Sequence, residues 1–453
     1  MNDLLTIYEK LPVFAQNILV NVYSFKLQKT RYNSDFKRYL REFYDRIDEN
    51  DFSFEEIEVN EKLFEFLEEA SNNDFWSKRF ERHDITISRN IDLKEEIKKL
   101  PVLTKDEVIE NEEAIKNPLN KNVMERKTGG TTGRALHLIQ TQEMENKQYA
   151  VWWRYRKMHG LTTDTWVGWF GGKQIVPATQ EKPPFWRIDY FGKQVMFSAI
   201  HLSRKTAKLY YNEIKKHSLS WLHGYPSQIA LFASYISDEN LPPIESLKII
   251  TTGAENLTDR QKEIIREAFD VPVRQHYGLA EGVANISEWP DGKMRVDKDF
   301  SYVEFLPVSE SDPELCKIVG TNFSNPAFPL IRFDTGDIAR ISIEDGEEIV
   351  ESIEGRVEDY ITLSDGKRFG PMNLLFKELK HIKEAQVYQP ALDELVFRIV
   401  KDAGYDKNRG EEKLRNAISK KLTDDTINIS VEYFEKLPRT KSAKLKTVIS
   451  DIK

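Results

Sequence analysis

Several short stretches of this sequence carry residue types suited to chemistry on phosphates and carboxylates. In Thr128-Gly129-Gly130-Thr131-Thr132-Gly133, three glycines let the backbone turn sharply and aim successive N–H groups into a concavity, and the threonine hydroxyls add donors. Such a loop suits phosphate oxygens; it reads equally as a polar hairpin turn. It is not a Walker loop, since the G-x-x-x-x-G-K-[ST] spacing and its lysine are absent. In His276-Tyr277-Gly278-Leu279-Ala280-Glu281-Gly282, the Tyr277 ring could stack on a nucleobase and Gly278 would permit close backbone approach. Glu281 could hold Mg²⁺ against a triphosphate. Taken alone, that stretch reads at least as readily as a tight turn with an exposed carboxylate. In Phe333-Asp334-Thr335-Gly336-Asp337, an aspartate fixed by a Thr-Gly turn could accept both hydroxyls of a ribose, or simply close an Asx-type turn. Gly355-Arg356-Val357-Glu358-Asp359-Tyr360 and Leu437-Pro438-Arg439-Thr440-Lys441-Ser442-Ala443-Lys444 complete the set. A basic tail like the last is usually a solvated face.

The elements that must position these stretches are partly readable. Asn122 to Lys127 and Ala135 to Gln140 are strand candidates on either side of the Thr/Gly loop. Leu247 to Thr251 reads as a strand followed by the turn Thr252-Gly253-Ala254-Glu255. Thr258 then caps a helix, with Gln261 completing a capping box and Ile264, Ile265, Ala268 and Phe269 forming the apolar face. Val271 to Gln275 is a second strand, leading into the Tyr277 stretch. A β-α-β unit of this kind predicts parallel strands with a right-handed crossover, and both polar loops at the carboxyl edge of one sheet, where open α/β sheets bind ligands.

Residues 1 to about 120 read as helix-rich, with apolar residues at helical spacing in Asp35 to Tyr44 and Phe52 to Ala70. From about Lys121 to Ile341 the pattern is short β-rich runs. The acidic stretch Glu344 to Glu348 precedes Ile353-Glu354-Gly355-Arg356, and a domain boundary is expected there. Beyond it, Tyr360 to Leu363 and Lys367 to Phe369 flank Ser364-Asp365-Gly366 as in a hairpin. Strands at Ala385 to Gln389 and Glu394 to Val400 follow, then a helix around Glu411 to Leu422.

Composition sets the class. At 453 residues the chain exceeds what one core organises, and 40% hydrophobic with 31% charged residues is a globular balance. A formal charge of −8 with basic residues spread throughout argues against general nucleic-acid binding. The single Cys316 excludes an intrachain disulfide framework and a Cys-Cys metal knuckle, and fits a reducing, cytoplasmic setting. Val13 to Tyr23 with Phe25 is apolar but broken by Gln16, Asn17 and Asn21. It is expected to be an amphipathic helix packed on the body, with interfacial membrane contact as the alternative and stable insertion not expected.

In order and spacing, the Thr/Gly loop, TGAE, YGLAE, DTGD, GRVED and PRTKSAK resemble the adenylate-forming (AMP-binding) superfamily of acyl-CoA synthetases, peptide-synthetase adenylation domains and luciferases. The loop TGGTTGRALHLIQT and the opening YEKLP…KTRY resemble its phenylacetate-CoA ligase branch and, within it, the CapK-like proteins and synthetases that adenylylate a deazaflavin coenzyme. The resemblance spans nearly the whole chain. It implies an α/β fold: a large N-terminal domain (1–355) with mixed and parallel sheets plus helices, then a small mobile α+β domain (356–453). It also implies an enzyme that uses ATP and Mg²⁺ to turn a carboxylic acid into acyl-AMP with release of pyrophosphate, then passes the acyl group to a thiol such as coenzyme A.

Residue by residue, the resemblance implies that Thr128, Gly129, Gly130, Thr131, Thr132 and Gly133 hold the β- and γ-phosphates. Gly253, Ala254 and Glu255 would line the adenine slot, with Tyr277 and Gly278 against the base. Glu281 would ligate Mg²⁺, Asp337 the ribose hydroxyls, and Arg356 the ribose or phosphate. Glu358 matches the hinge, and Lys444 the lysine that spans the substrate carboxylate and the α-phosphate. Trp169, Phe170, His223 and Tyr225 fall where relatives place walls of the acid pocket, although most aromatics from Trp152 to Phe197 read better as core and His223 reads equally as a turn-stabilising histidine. The chain departs from the pattern at Gly133-Arg134-Ala135-Leu136, where many relatives have Pro-Lys, and at Ala443, where glycine is usual. Two alternatives therefore stand beside the ligase: transfer to a non-CoA acceptor, and a catalytically weak nucleotide-binding partner in a biosynthetic assembly such as capsule or polysaccharide formation.

Overall fold

The computed structural model describes residues 7–48, 56–117, 123–127, 136–356, 361–363, 368–369, 382–401, 404–421, 427–440 and 444–452. By its internal contacts the chain divides into two units. The first comprises Met1–Phe25, Asp164–Gln275 and Glu354–Lys453, the second Lys26–Thr163 and His276–Ile353. A mixed α/β architecture runs through both.

In the first unit, Gln194–Phe197, Val167–Phe170, Trp221–Gly224 and Ile249–Thr252 lie side by side as parallel strands, with Trp186–Asp189 antiparallel at the edge. Parallel strands covered by helices are buried on both faces, which is why Ile249–Thr252 is buried along its whole length, threonines included. The expected β-α-β unit is present. Its helix runs Asp259–Phe269, Thr258 and Gln261 make a reciprocal capping box, and Ile264, Ile265, Ala268 and Phe269 are the buried face. The next strand, Val273–Gly278, starts parallel to Ile249–Thr252, pairing Ile250 with Val273 and Thr252 with Gln275. The core here is aromatic, with Phe170 stacked on Phe197 and Phe232.

The C-terminal part of the same unit has its own sheet. Ile382–Ala391 and Glu394–Lys401 form an antiparallel pair, flanked by Val448–Ser450 and Asn428–Tyr433 in parallel. The helix Lys407–Lys421 contributes Leu414 to a core with Val387, Leu395 and Phe397. The hairpin expected around Ser364 pairs Ile361 with Phe369.

The second unit joins the helices Ser34–Asp48, Glu56–Ala70 and Gln142–Met158 to the antiparallel strands Tyr302–Ser309, Asp312–Thr321 and Phe333–Glu344. Val123–Lys127 and His137–Thr141 pair antiparallel on either side of the Thr/Gly loop. Arg154 is buried against Asp297 and Asp299, with Asp297 2.6 Å from its guanidinium. Asp297 also accepts from Asn285 Nδ2 at 2.6 Å and Ser287 Oγ at 2.7 Å. A buried carboxylate so fully bonded fixes the strand Asn285–Glu288, which pairs with the end of Val273–Gly278.

Candidate active site

In the first unit, the strand Ile249–Thr252 ends in Gly253-Ala254-Glu255. Gly253 N–H donates to the Gly224 carbonyl at 3.3 Å, and Ala254 turns left-handed at φ 64°. A side chain in that conformation costs about 1 kcal/mol, and surrounding bonds must hold it there. They come from the C-terminal segment. Lys444 Nζ donates to the Ala254 carbonyl at 2.7 Å and lies 5.5 Å from the centre of the Tyr225 ring. Leu445 N–H donates to Glu255 Oε1 at 3.1 Å, while Ser227 N–H reaches Glu255 Oε2 at 3.3 Å. Burial pushes the Glu255 carboxyl up from its ordinary value, opposed by its bonds to Ser227 and Leu445 and by the charge of Arg439. Burial likewise raises the Tyr225 phenol, with the Glu255 charge adding to it.

Arg439 ties the same segment down a second time. Its guanidinium donates to Ser227 Oγ at 2.8 Å and pairs with the buried carboxylate of Glu384, which also accepts from Leu437 N–H at 3.1 Å. Thr440 and Lys444 bond each other twice: Thr440 N–H bonds the Lys444 carbonyl at 2.9 Å, and Lys444 N–H bonds Thr440 Oγ1 at 3.0 Å. Lys436 donates to the carbonyls of Ala199 at 3.2 Å and Leu202 at 3.1 Å. Burial first, then the Arg439 charge, bring its ammonium down to about 8, against the opposing pull of Glu384. The lysine singled out by sequence thus lies between two anchored residues, Arg439 and Leu445.

The residues expected to wall the acid pocket divide. His223 Nδ1 lies 2.9 Å from Thr251 Oγ1, which accepts the Trp221 indole N–H at 2.7 Å. Tyr225 N–H donates to the Phe170 carbonyl at 2.9 Å as the chain enters the helix Pro226–Asp238. Trp169 packs on Ile175, Val176 and Met196. Phe170 corrects the expectation. Its ring is fully buried, so it serves the core and offers no surface to a substrate.

In the second unit, Tyr277 donates its hydroxyl to Asp337 Oδ2 at 2.6 Å, joining two residues sixty positions apart in sequence. Asp337 is buried in a strand, and its own N–H bonds Thr335 Oγ1 at 3.0 Å. Gly336 N–H bonds Asp334 Oδ1 at 2.8 Å, so the Asx turn is real and at the same time presents Asp337. Gly278 is needed for close packing: a Cβ there would fall 2.7 Å from Asn285 Oδ1. That oxygen accepts the Trp152 indole N–H at 3.0 Å. The neighbouring His276 is held near neutral-only behaviour, its pKa lowered to about 3 by burial and then by the Arg156 charge. The loop bearing Glu281 is fixed through its backbone, with Gln148 Nε2 on the Leu279 carbonyl at 3.2 Å and Asn322 Nδ2 on that of Glu281 at 3.1 Å.

Known proteins resemble this chain in sequence and in fold. Residues 364–451 match the CapK C-terminal domain. Over 457 aligned residues the chain is 26% identical to Protein CapK of Staphylococcus aureus, covering 99% of each. A 2-hydroxyisobutyryl-CoA ligase in the postadenylation state, in complex with R3-HIB-AMP, has a TM-score of 0.63 at 16% identity, over 87% of this chain and 89% of that one. The same ligase with 2-HIB-AMP gives 0.63 at 17% identity over the same shares. The chain is similar to Protein CapK along its whole length and shares the fold of this ligase.

Thr128, Gly129, Gly130, Thr131, Thr132 and Gly133 lie outside the described residues, as do Glu358 and Ala443. Arg356 ends the strand Glu347–Arg356. Sequence reading missed Ser227, Glu384 and Arg439 as a connected set. Arg439 stood inside a recognised motif without a role. Glu384 sits in an alternating strand with Gln386 on the same buried face, an unusual pattern that names no partner.

Proposed function

We propose that this chain is an AMP-forming ligase for a carboxylic acid. An acid oxygen attacks the α-phosphorus of ATP, the bond to pyrophosphate breaks, and acyl-AMP forms. A thiol, coenzyme A in the leading reading, then displaces AMP. The observation that carries this reading is the contact of Lys444 and Leu445 with the Gly253-Ala254-Glu255 loop. A carboxylate is already ionised at neutral pH, so the reaction needs no strong base. It needs two anions held together and charge stabilised on phosphoryl oxygens, and a fixed ammonium group supplies that.

In this reading Asp337, oriented by Tyr277, receives the ribose hydroxyls, and the Thr/Gly loop and Arg356 receive phosphate. Glu281 fits a Mg²⁺ carried by a triphosphate. Among the described residues no cluster of three or more His, Cys, Asp or Glu forms a protein cage, and a hard cation with mostly phosphate and water ligands needs only one carboxylate. Bound Mg²⁺ would supply charge neutralisation at the phosphates. Residues 356–453 act as the small domain that carries Lys444 in for adenylation and, turning about Glu358, away for thiolysis.

A pyrophosphate-release screen over aromatic, aliphatic and amino acids, with product masses taken with and without coenzyme A, tests the proposal. Acid-dependent pyrophosphate with an acyl-CoA product supports it. ATP binding without pyrophosphate release across the panel would refute it.

A further inference from the structure

The helix Val13–Arg31 is built inside out. Its inward face is polar: Gln16 and Ser24 are its buried residues. Gln16 Oε1 accepts from Arg187 Nε at 2.8 Å, and Ser24 Oγ donates to Asp189 at 2.7 Å. Asn17 accepts the Ile188 N–H at 3.0 Å, and Asn21 donates to the Ile188 carbonyl at 2.8 Å while accepting the Tyr190 N–H at 2.8 Å. Asn17 and Asn21 thereby satisfy the outward backbone of Ile188 in Trp186–Asp189, the edge strand of its sheet, and cover an edge that would otherwise be open there. Docked through its polar residues, the helix turns its apolar ones to the exterior. Phe14, Ile18, Val22 and Phe25 follow one another at helical spacing, 68%, 57%, 61% and 43% exposed. The turn residues Tyr190 and Phe191 extend the stripe, with Phe191 5.0 Å from the Phe25 ring. Elsewhere among the described residues, exposed large apolar side chains occur singly, as at Ile200, Val308, Ile343 and Leu392. A contiguous patch of this kind marks a binding surface.

Charge selects the occupant. From Lys10 to Ser34 the chain has no aspartate or glutamate, while Lys10, Lys26 and Lys29 are basic, in a protein whose net charge is −8; Arg31 is taken up by Glu145 and the Tyr149 ring. We infer that this helix lies in the plane of an anionic lipid surface, its apolar stripe in the headgroup–acyl boundary and its lysines against lipid phosphates. Tyr23 and Tyr190, each exposed, have the apolar body and polar tip suited to that depth. A second copy of the chain fits less well, since it would set one carboxylate-free basic stripe against another. No described helix is long and apolar enough to cross a membrane, and the hydrogen-bonded inner face holds the helix flat against the protein.

The test is cosedimentation of the full chain with vesicles of phosphatidylcholine alone and of phosphatidylcholine with phosphatidylglycerol. Binding is expected only to the anionic vesicles and is expected to weaken at high salt. An Ile18→Asp/Val22→Asp variant, altered only at exposed positions, is expected to bind about tenfold or more weakly with its circular dichroism and Tm unchanged. Lys10→Gln/Lys26→Gln is expected to reduce both the binding and its salt dependence. Equal sedimentation with and without anionic lipid would overturn the inference, as would unchanged binding by the aspartate variant. A dimer in sedimentation velocity that the aspartate variant abolishes would assign the patch to self-association instead.

Discussion

Lys444 Nζ sits 2.7 Å from the carbonyl of Ala254, a residue held left-handed at φ 64°, although 190 positions separate the two in sequence. The carbonyl faces the lysine because of that backbone conformation. Residues on both sides of the lysine are fixed, Arg439 on Ser227 and Leu445 on Glu255. The chemistry proposed for Lys444 therefore depends on residues that touch no reacting atom.

Ser227 tests that dependence most gently. Ser227→Ala removes the hydroxyl that receives Arg439 but keeps the backbone bond to Glu255. Loss of one charge-assisted bond corresponds to about 2 kcal/mol, so acid-dependent ATP–pyrophosphate exchange is expected to slow roughly tenfold to thirtyfold through kcat. Thiolysis of supplied acyl-AMP is expected to stay near wild type. Equal losses in both half-reactions would show a general structural role.

Tyr277→Phe removes the hydroxyl that orients Asp337. If Asp337 receives the ribose, the expected result is a KM for ATP raised about fivefold, corresponding to roughly 1 kcal/mol, with kcat little changed. A kcat loss at unchanged KM would place the pair elsewhere in the reaction.

Gly278→Ala probes packing. Its Cβ would meet Asn285 Oδ1, an atom held by Trp152 in a network reaching Asp297 and Arg154. Overpacking of this kind costs about 1–3 kcal/mol, so denaturant unfolding is expected to show that loss. Wild-type stability would mean the network yields.

His276 predicts a pH dependence. Its folded-state pKa of about 3 lies below the ordinary 6.5, so between these values the unfolded chain binds the extra proton. Its contribution to stability is complete above pH 6.5 and is lost as pH falls toward 3. His276→Gln is expected to flatten the stability profile in that window; an unchanged profile would contradict the burial argument.

Much of this was legible before folding. Thr258 and Gln261 announced a capping box, and Ile264, Ile265, Ala268 and Phe269 a buried face, because those signals are local and periodic. The helix Val13–Arg31 was legible as a helix but not in its orientation, since Asn17 and Asn21 reveal their purpose only beside the backbone of Ile188. Phe170 looked like a pocket wall because aromatics suit both pockets and cores, and only packing decides. The ion pair of Glu384 with Arg439 spans separate elements, and no spacing rule connects them.

The most direct measurement is ATP–pyrophosphate exchange and acyl-AMP thiolysis in Lys444→Ala, using an acid found active in the screen. The account predicts exchange reduced by about 10²–10³ with thiolysis largely retained. Exchange at the wild-type rate in that variant would contradict it.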